Sequence, residues 1–276
     1  MEVGGRRLGG ADMNRAFLLL VAVLAPDVAR ADDGTRPYCP ARPGLATPAC
    51  TIAPGRVSVE TSLADWTLNK DGADRSDTVL IGATSVRLGL TDAIEAQIGW
   101  TPLGIVRDRV GGSVDRRTRS GDVTLGAKAN VANPDGSGLS LAFQPFVTLP
   151  LGRAPVGAGD WGAGMIVPVT YGLAHNVNLE FTPEIDAAPN QAGAGRHFAI
   201  SGVVGVGFAA TDKLTVTVEG KAVRDDDPSG KSTSERASLS VAWMVHENLQ
   251  LDVGAVSRIN HNAPDAEFYF GIARRF

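Results

Sequence analysis

From Val57 to the last residue, Phe276, apolar side chains recur at every second position, and almost nowhere at helical spacing. Val57, Val59, Thr61 and Leu63 alternate; so do Leu80 through Leu90, Ile94 through Trp100, and Val123 through Val131. The pattern continues through Leu139–Leu149, Trp161–Tyr171, Val177–Ile185, Phe198–Phe208, Leu214–Val218, Ala237–Val245 and Leu249–Ala255. It closes with Phe268, Phe270, Ile272 and Phe276. A period of two puts one face of each strand in an apolar medium and the other face elsewhere. This predicts an all-β, antiparallel protein of about twelve strands.

The connections alternate as well. "LTDA", "NPDGSG", "LAHN", "ATDK" and "HEN" are tight. "NKDGADRSD", "TPLGIVRDRVGGSVDRRTRS", "GRAPVGAGD", "AAPNQAGAG", "RDDDPSGKSTSE" and "NHNAPD" are longer. A hairpin repeats every ~35–40 residues, so one β-hairpin is the building unit. Short turns at one end, long loops at the other and an even strand count predict a transmembrane β-barrel with short periplasmic turns and longer extracellular loops. In lipid an unpaired strand edge costs several kcal/mol per backbone group, so the last strand must pair with the first. That accounts for a chain that stops on an aromatic residue instead of a polar tail. A secreted β-sandwich would alternate similarly, but the second face here carries small residues such as Ser140, Ala142, Ser201, Gly205 and Gly207, which suit a crowded lumen.

Aromatic residues fit two interfaces. Trp100 and Trp161 stand at predicted loop-proximal ends, and Tyr171, Phe208, Trp243 and Phe276 at turn-proximal ends. Trp66 breaks the parity of Val57–Leu63, which a bulge or the loop edge would explain.

Before the barrel, "MNRAFLLLVAVLAPDVARADD" reads as a signal peptide: a basic start, a short apolar core, and Ala29-Arg30-Ala31 as the cleavage motif. The division is therefore 1–31 signal peptide, with Met13 as an alternative start; 32–55 a Pro-rich periplasmic segment; and 56–276 the barrel. An exported chain meets an oxidising compartment, so Cys39 and Cys50 are expected to form a disulfide worth ~2–3 kcal/mol. No run after the N-terminus is long and apolar enough for a membrane helix. The net charge of −4 argues against nucleic-acid binding.

Inward parity collects the polar groups. Glu95, Gln97, Asp122, Lys128, Glu180, Glu184, Asp186, Glu219, Lys221, Asp252 and Glu267 are the lumen candidates. They either set the selectivity of an aqueous path or fill a plugged interior in which Lys128, Lys221 and Arg87 neutralise carboxylates. No catalytic set emerges: His175, His197, His246 and His261 are scattered, and Ser257 near His261 is the one serine–histidine pairing worth naming. No metal site or cofactor is expected.

The stretches "GDVTLGAKANV", "QPFVTLPLG", "VTYGLAHNVNLEFTPEID", "ATDKLTVTVEG" and the terminal "FGIARRF" resemble proteobacterial outer-membrane proteins linked to the meta-cleavage pathway of phenol degradation. The resemblance covers nearly all of the barrel and rests on the order of these motifs. It implies an outer-membrane channel or transporter for passive uptake of small solutes, aromatic or hydrophobic compounds among them. The alternatives are a non-conducting barrel that displays loops and, further off, an outer-membrane lipid hydrolase. It also implies that the closing strand, with Phe268, Phe270, Ile272 and Phe276, is the signal read by the barrel assembly machinery. The expected partners are outer-membrane lipid and lipopolysaccharide, that machinery and a small-molecule solute. The arginines of the second long loop, Arg107, Arg109, Arg116, Arg117 and Arg119, are candidates for lipopolysaccharide phosphates.

Overall fold

The computed structural model describes residues 36–174 and 176–276, without side-chain detail at Ala174. The predicted signal peptide, the alternative start at Met13 and His175 lie outside the described residues. Sixteen strand segments run in chain order: β1 (Val57–Asp71), β2 (Asp74–Ile81), β3 (Ala83–Gly89), β4 (Ile94–Trp100), β5 (Leu103–Val110), β6 (Ser113–Arg119), β7 (Val123–Ala132), β8 (Leu139–Leu149), β9 (Gly162–Ile166), β10 (Val169–Ala174), β11 (Val177–Pro189), β12 (Arg196–Thr211), β13 (Leu214–Asp225), β14 (Ser232–His246), β15 (Leu249–Arg258) and β16 (Ala266–Arg275).

These segments build twelve staves, because β2–β3, β4–β5, β6–β7 and β9–β10 are each one stave with a short break. Neighbouring staves are antiparallel, and β16 pairs with β1 to close the wall. Phe276 and Val57 exchange backbone hydrogen bonds in both directions at 2.8 and 3.2 Å, so the terminal aromatic residue completes the ladder. The breaks fall on residues that cannot hold a regular ladder: Gly82 at φ +72°, Thr101-Pro102, Ser120–Asp122 and Val167-Pro168. Gly82 donates to Ser62 and Gly121 to Thr101, so three adjacent breaks sit at one height in the wall.

The parity is that of a membrane barrel. Leu88, Ile98, Leu125, Phe143, Phe181, Val204, Val218, Leu239 and Val253 all face outward and are exposed, while Glu60, Arg87, Glu95, Lys128, Asn130, Glu219 and Asp252 face inward and are buried. A soluble protein would show the reverse. Tyr171, Phe208, Trp243 and Phe276 form the turn-side girdle, and Trp161, Phe198 and Phe268 the loop-side one. Trp66 joins the latter: a bulge between Ser62 and Ala64 shifts the register, turns residue 66 outward, and stacks its indole on Phe268 at 5.8 Å. Trp100, expected at a loop-proximal end, lies mid-stave, because the chain continues upward through Val110.

That continuation corrects two expected loops. "NKDGADRSD" and "TPLGIVRDRVGGSVDRRTRS" are mostly strand, turning at Gly72 and at Gly111-Gly112. With the upper part of β1 they form an antiparallel sheet in the order β1-β2-β5-β6 that extends the wall on the loop side.

Candidate functional site: a stoppered bore

The segment preceding the barrel, expected as a periplasmic appendage, packs on inward-facing side chains all round the wall. Arg275 Nη1 donates to the Arg36 carbonyl at 2.8 Å, and Tyr38 Oη meets Ser58 Oγ at 2.6 Å. Ala41 N–H donates to Glu60 at 2.8 Å. Arg42 reaches across to β15 and grips both carboxylate oxygens of Asp252, at 2.9 and 3.2 Å, while Gln250 donates to its carbonyl. Gly44 N–H donates to Tyr269 Oη at 3.1 Å; the Leu45 and Ala46 amides converge on Glu219 of β13 at 2.7–2.9 Å. Thr47 meets Thr182 on β11. The chain then returns: Lys128 of β7 donates to the carbonyls of Pro48 and Cys50, Asn130 to that of Ala49, and Ile52 N–H donates to Glu95 of β4. A segment whose successive residues touch β16, β1, β15, β13, β11, β7 and β4 lies within the bore. Its partners cluster toward the short turns, so it stoppers that half.

A disulfide joins Cys39 to Cys50 across the base of this loop. Beneath it, Arg87 contacts Glu60 and Glu95 at 2.9 Å and donates to the Cys39 carbonyl at 2.7 Å. Lys128 stands 3.5 Å from Glu95. Burial raises the Tyr38 phenol far above its ordinary range, and the Glu60 carboxylate adds to the effect, so it stays neutral. Glycines make room for the stopper. A Cβ at Gly271 would overlap the Arg42 guanidinium, and one at Gly89 would overlap the carbonyl oxygens of Ile52 and Ala53.

The lumen candidates therefore divide by height. Glu95, Lys128, Glu219 and Asp252 hold the stopper. Gln97, Glu184 and Lys221 lie above it; Lys221 stands 4.0 Å from Glu184, and Ser201 donates to that carboxylate. Glu180 neighbours Glu219 across Gly205, where an added Cβ would come within 3.4 Å of both side chains. Asp186 faces Gly164 of β9, and Glu267 stands 3.6 Å from Arg236. Asp122 differs from these, because its carboxylate accepts the Gly152 and Ala158 amides and so folds the 150–161 loop. That loop leans inward, with Val156 over Gly104, where a Cβ would meet its methyls at 2.6 Å. Sequence reasoning missed Arg42 and Glu60. Glu60 stands on the inward parity of β1 and was open to detection; Arg42 precedes any periodic segment and had no such signal.

Between stopper and loop lie two cavities that share Ser85, Gly99 and Thr124. One, about 180 Å³, is lined by Gln97, Gln144, Phe146, Ile166 and Glu184. The other, about 340 Å³, runs from Ala41 and Arg42 past Trp100 to the break at Thr101. Among the described residues no His, Cys, Asp and Glu set could hold a metal ion. No hydrogen bond joins Ser257 to His261 among the described residues.

The fold is that of outer-membrane barrels. The COG4313 outer membrane channel from Pseudomonas putida F1 superposes with a TM-score of 0.66 at 12% identity, over 90% of this chain and 100% of that one. The NanC porin gives 0.49 at 8% identity over 79% and 98%, and the KdgM porin 0.48 at 8% over 80% and 99%. No curated protein matches the chain. Residues 41–276, which span the stopper from Ala41 and the whole wall, match the family described as "Putative MetA-pathway of phenol degradation", and the chain belongs to that family.

Proposed function

We propose that this barrel is an outer-membrane channel for passive uptake of small, neutral or weakly polar compounds, aromatic ones included. One observation carries the reading. The space above the stopper is a mixed chamber, in which Phe146 and Ile166 stand among the amides of Gln97 and Gln144, beside the Glu184 carboxylate. Apolar walls with a few placed polar groups suit a compact ring bearing a hydroxyl better than a sugar or an ion. The family description, which mentions phenol degradation, supports the aromatic preference, and the structural relative named an outer membrane channel supports the channel reading alone.

The stopper also favours a second reading, a barrel that conducts nothing and displays its loops. Ion current through single barrels in planar bilayers separates the two. Under the channel reading, phenol added to the bath reduces the residual current in a saturable way, and Phe146→Ala weakens the block at least several-fold. A hexose at the same concentration leaves the current unchanged. Equal responses to phenol and hexose would reject the aromatic preference.

A further inference from the structure

We propose that the outward face of β2, β5 and β6 is a docking surface for the phosphates of an outer-leaflet phosphorylated glycolipid. The register defines this face row by row. Trp66, Val79, Ile105 and Thr118 lie side by side as the last largely apolar row. One pleat higher, the row is Leu68, Asp77, Arg107 and Arg116; the next is Lys70, Arg75, Arg109 and Val114. Alternate residues on a strand are ~6–7 Å apart, so the charges begin one such step above the Trp66–Phe268 stack. This is headgroup depth. It is also where β16 begins, since Leu68 pairs with Ala266.

Two cross-strand pairs on this face are arginine opposite arginine: Arg75 with Arg109, and Arg107 with Arg116. Like charges directly opposite destabilise a sheet. The inner face of the same sheet shows how such a conflict is resolved. There Asp108 stands opposite Asp115, and Arg117 bridges both. On the outer face the one acid is Asp77, already engaged by Arg75 and by the Trp66 indole. Arg107, Arg109 and Arg116 are exposed and make no ion pair or side-chain hydrogen bond among the described residues. Five cations against one acid, at the level of lipid headgroups, call for an anion that supplies several oxygens at once. Guanidinium forks bind phosphate in that way, and a glycolipid carrying more than one phosphate would span both arginine pairs. The five arginines of this stretch thus part company: Arg107, Arg109 and Arg116 face lipid, while Arg117 and Arg119 face the lumen side.

The test uses the full chain in neutral detergent micelles, with bisphosphorylated lipid A as the probe and native mass spectrometry together with thermal unfolding as readouts. Bisphosphorylated lipid A is expected to bind at least ten-fold more tightly than its fully dephosphorylated form and to raise the unfolding temperature. Inorganic phosphate and pyrophosphate at equal concentration are expected to do neither, which assigns the site to the lipid. The Arg107→Gln/Arg109→Gln/Arg116→Gln variant should lose that ten-fold preference, and Arg116→Gln alone should lose part of it. Arg117→Gln/Arg119→Gln should retain it. Folding of each variant is read from the heat-shifted gel mobility of closed barrels. Equal binding of the two lipid A forms, an unchanged preference in the folded triple variant, or loss in the Arg117/Arg119 variant would each overturn the proposal.

Discussion

Arg87 is the largest fully buried side chain of the wall, and its surroundings show how a charged residue is tolerated inside a barrel. Its fork meets Glu60 and Glu95 at 2.9 Å and a stopper carbonyl at 2.7 Å, and all three side chains are 0–1% exposed. Removing one partner from such a set leaves an uncompensated charge. Arg87→Ala is therefore expected to destabilise the folded barrel by ~3–5 kcal/mol, whereas Glu184→Ala, whose ion partner is 4.0 Å away and part-exposed, should cost ~1 kcal/mol or less. Urea unfolding in lipid vesicles measures both, and equal costs would refute the division into stopper seat and open chamber. At this scale the sequence was partly legible. Parity alone placed Glu95, Lys128, Glu219 and Asp252 on the inside. It could not show that their partners come from residues 36–56, because a segment that binds through backbone amides and carbonyls has no periodicity to read.

Strands were legible where the wall crosses lipid and illegible above it. Between the two girdles, one medium is apolar and the other polar, so alternation is enforced at every residue. Beyond the loop-side girdle, both faces of β2, β5 and β6 meet polar surroundings; the pattern lapses into "RDRVGGSVDRRTRS" and resembles a loop. The breaks at Gly82, Pro102 and Gly121 deepened the confusion by dividing three staves at one height. The same contrast gives a depth prediction within neighbouring staves. Val218, 56% exposed on β13 at mid-wall, should cost ~2–4 kcal/mol when replaced by arginine, and Phe198, 54% exposed on the loop-side girdle, ~0–1 kcal/mol. Refolding equilibria of the two variants in short-chain lipid vesicles check this. A larger penalty at Phe198 would place the membrane midplane elsewhere.

For the molecule as a whole, the closed wall, the disulfide-closed stopper and the inward-leaning 150–161 loop border the two cavities. A wide aqueous pore is not what this geometry builds: twelve staves give a narrow bore, and the 36–56 segment fills its short-turn half. This segment, and not the wall, is then expected to limit passage. Single-channel conductance in planar bilayers tests it most directly, comparing the chain from residue 36 with the same chain lacking residues 36–53. A small conductance is expected for the first and one several-fold larger for the second, with cation preference, because Glu219 and Asp252 would lose the Leu45, Ala46 and Arg42 groups that hold them and face water, while Glu60 and Glu95 keep Arg87. An unchanged conductance on removal of the segment would contradict it.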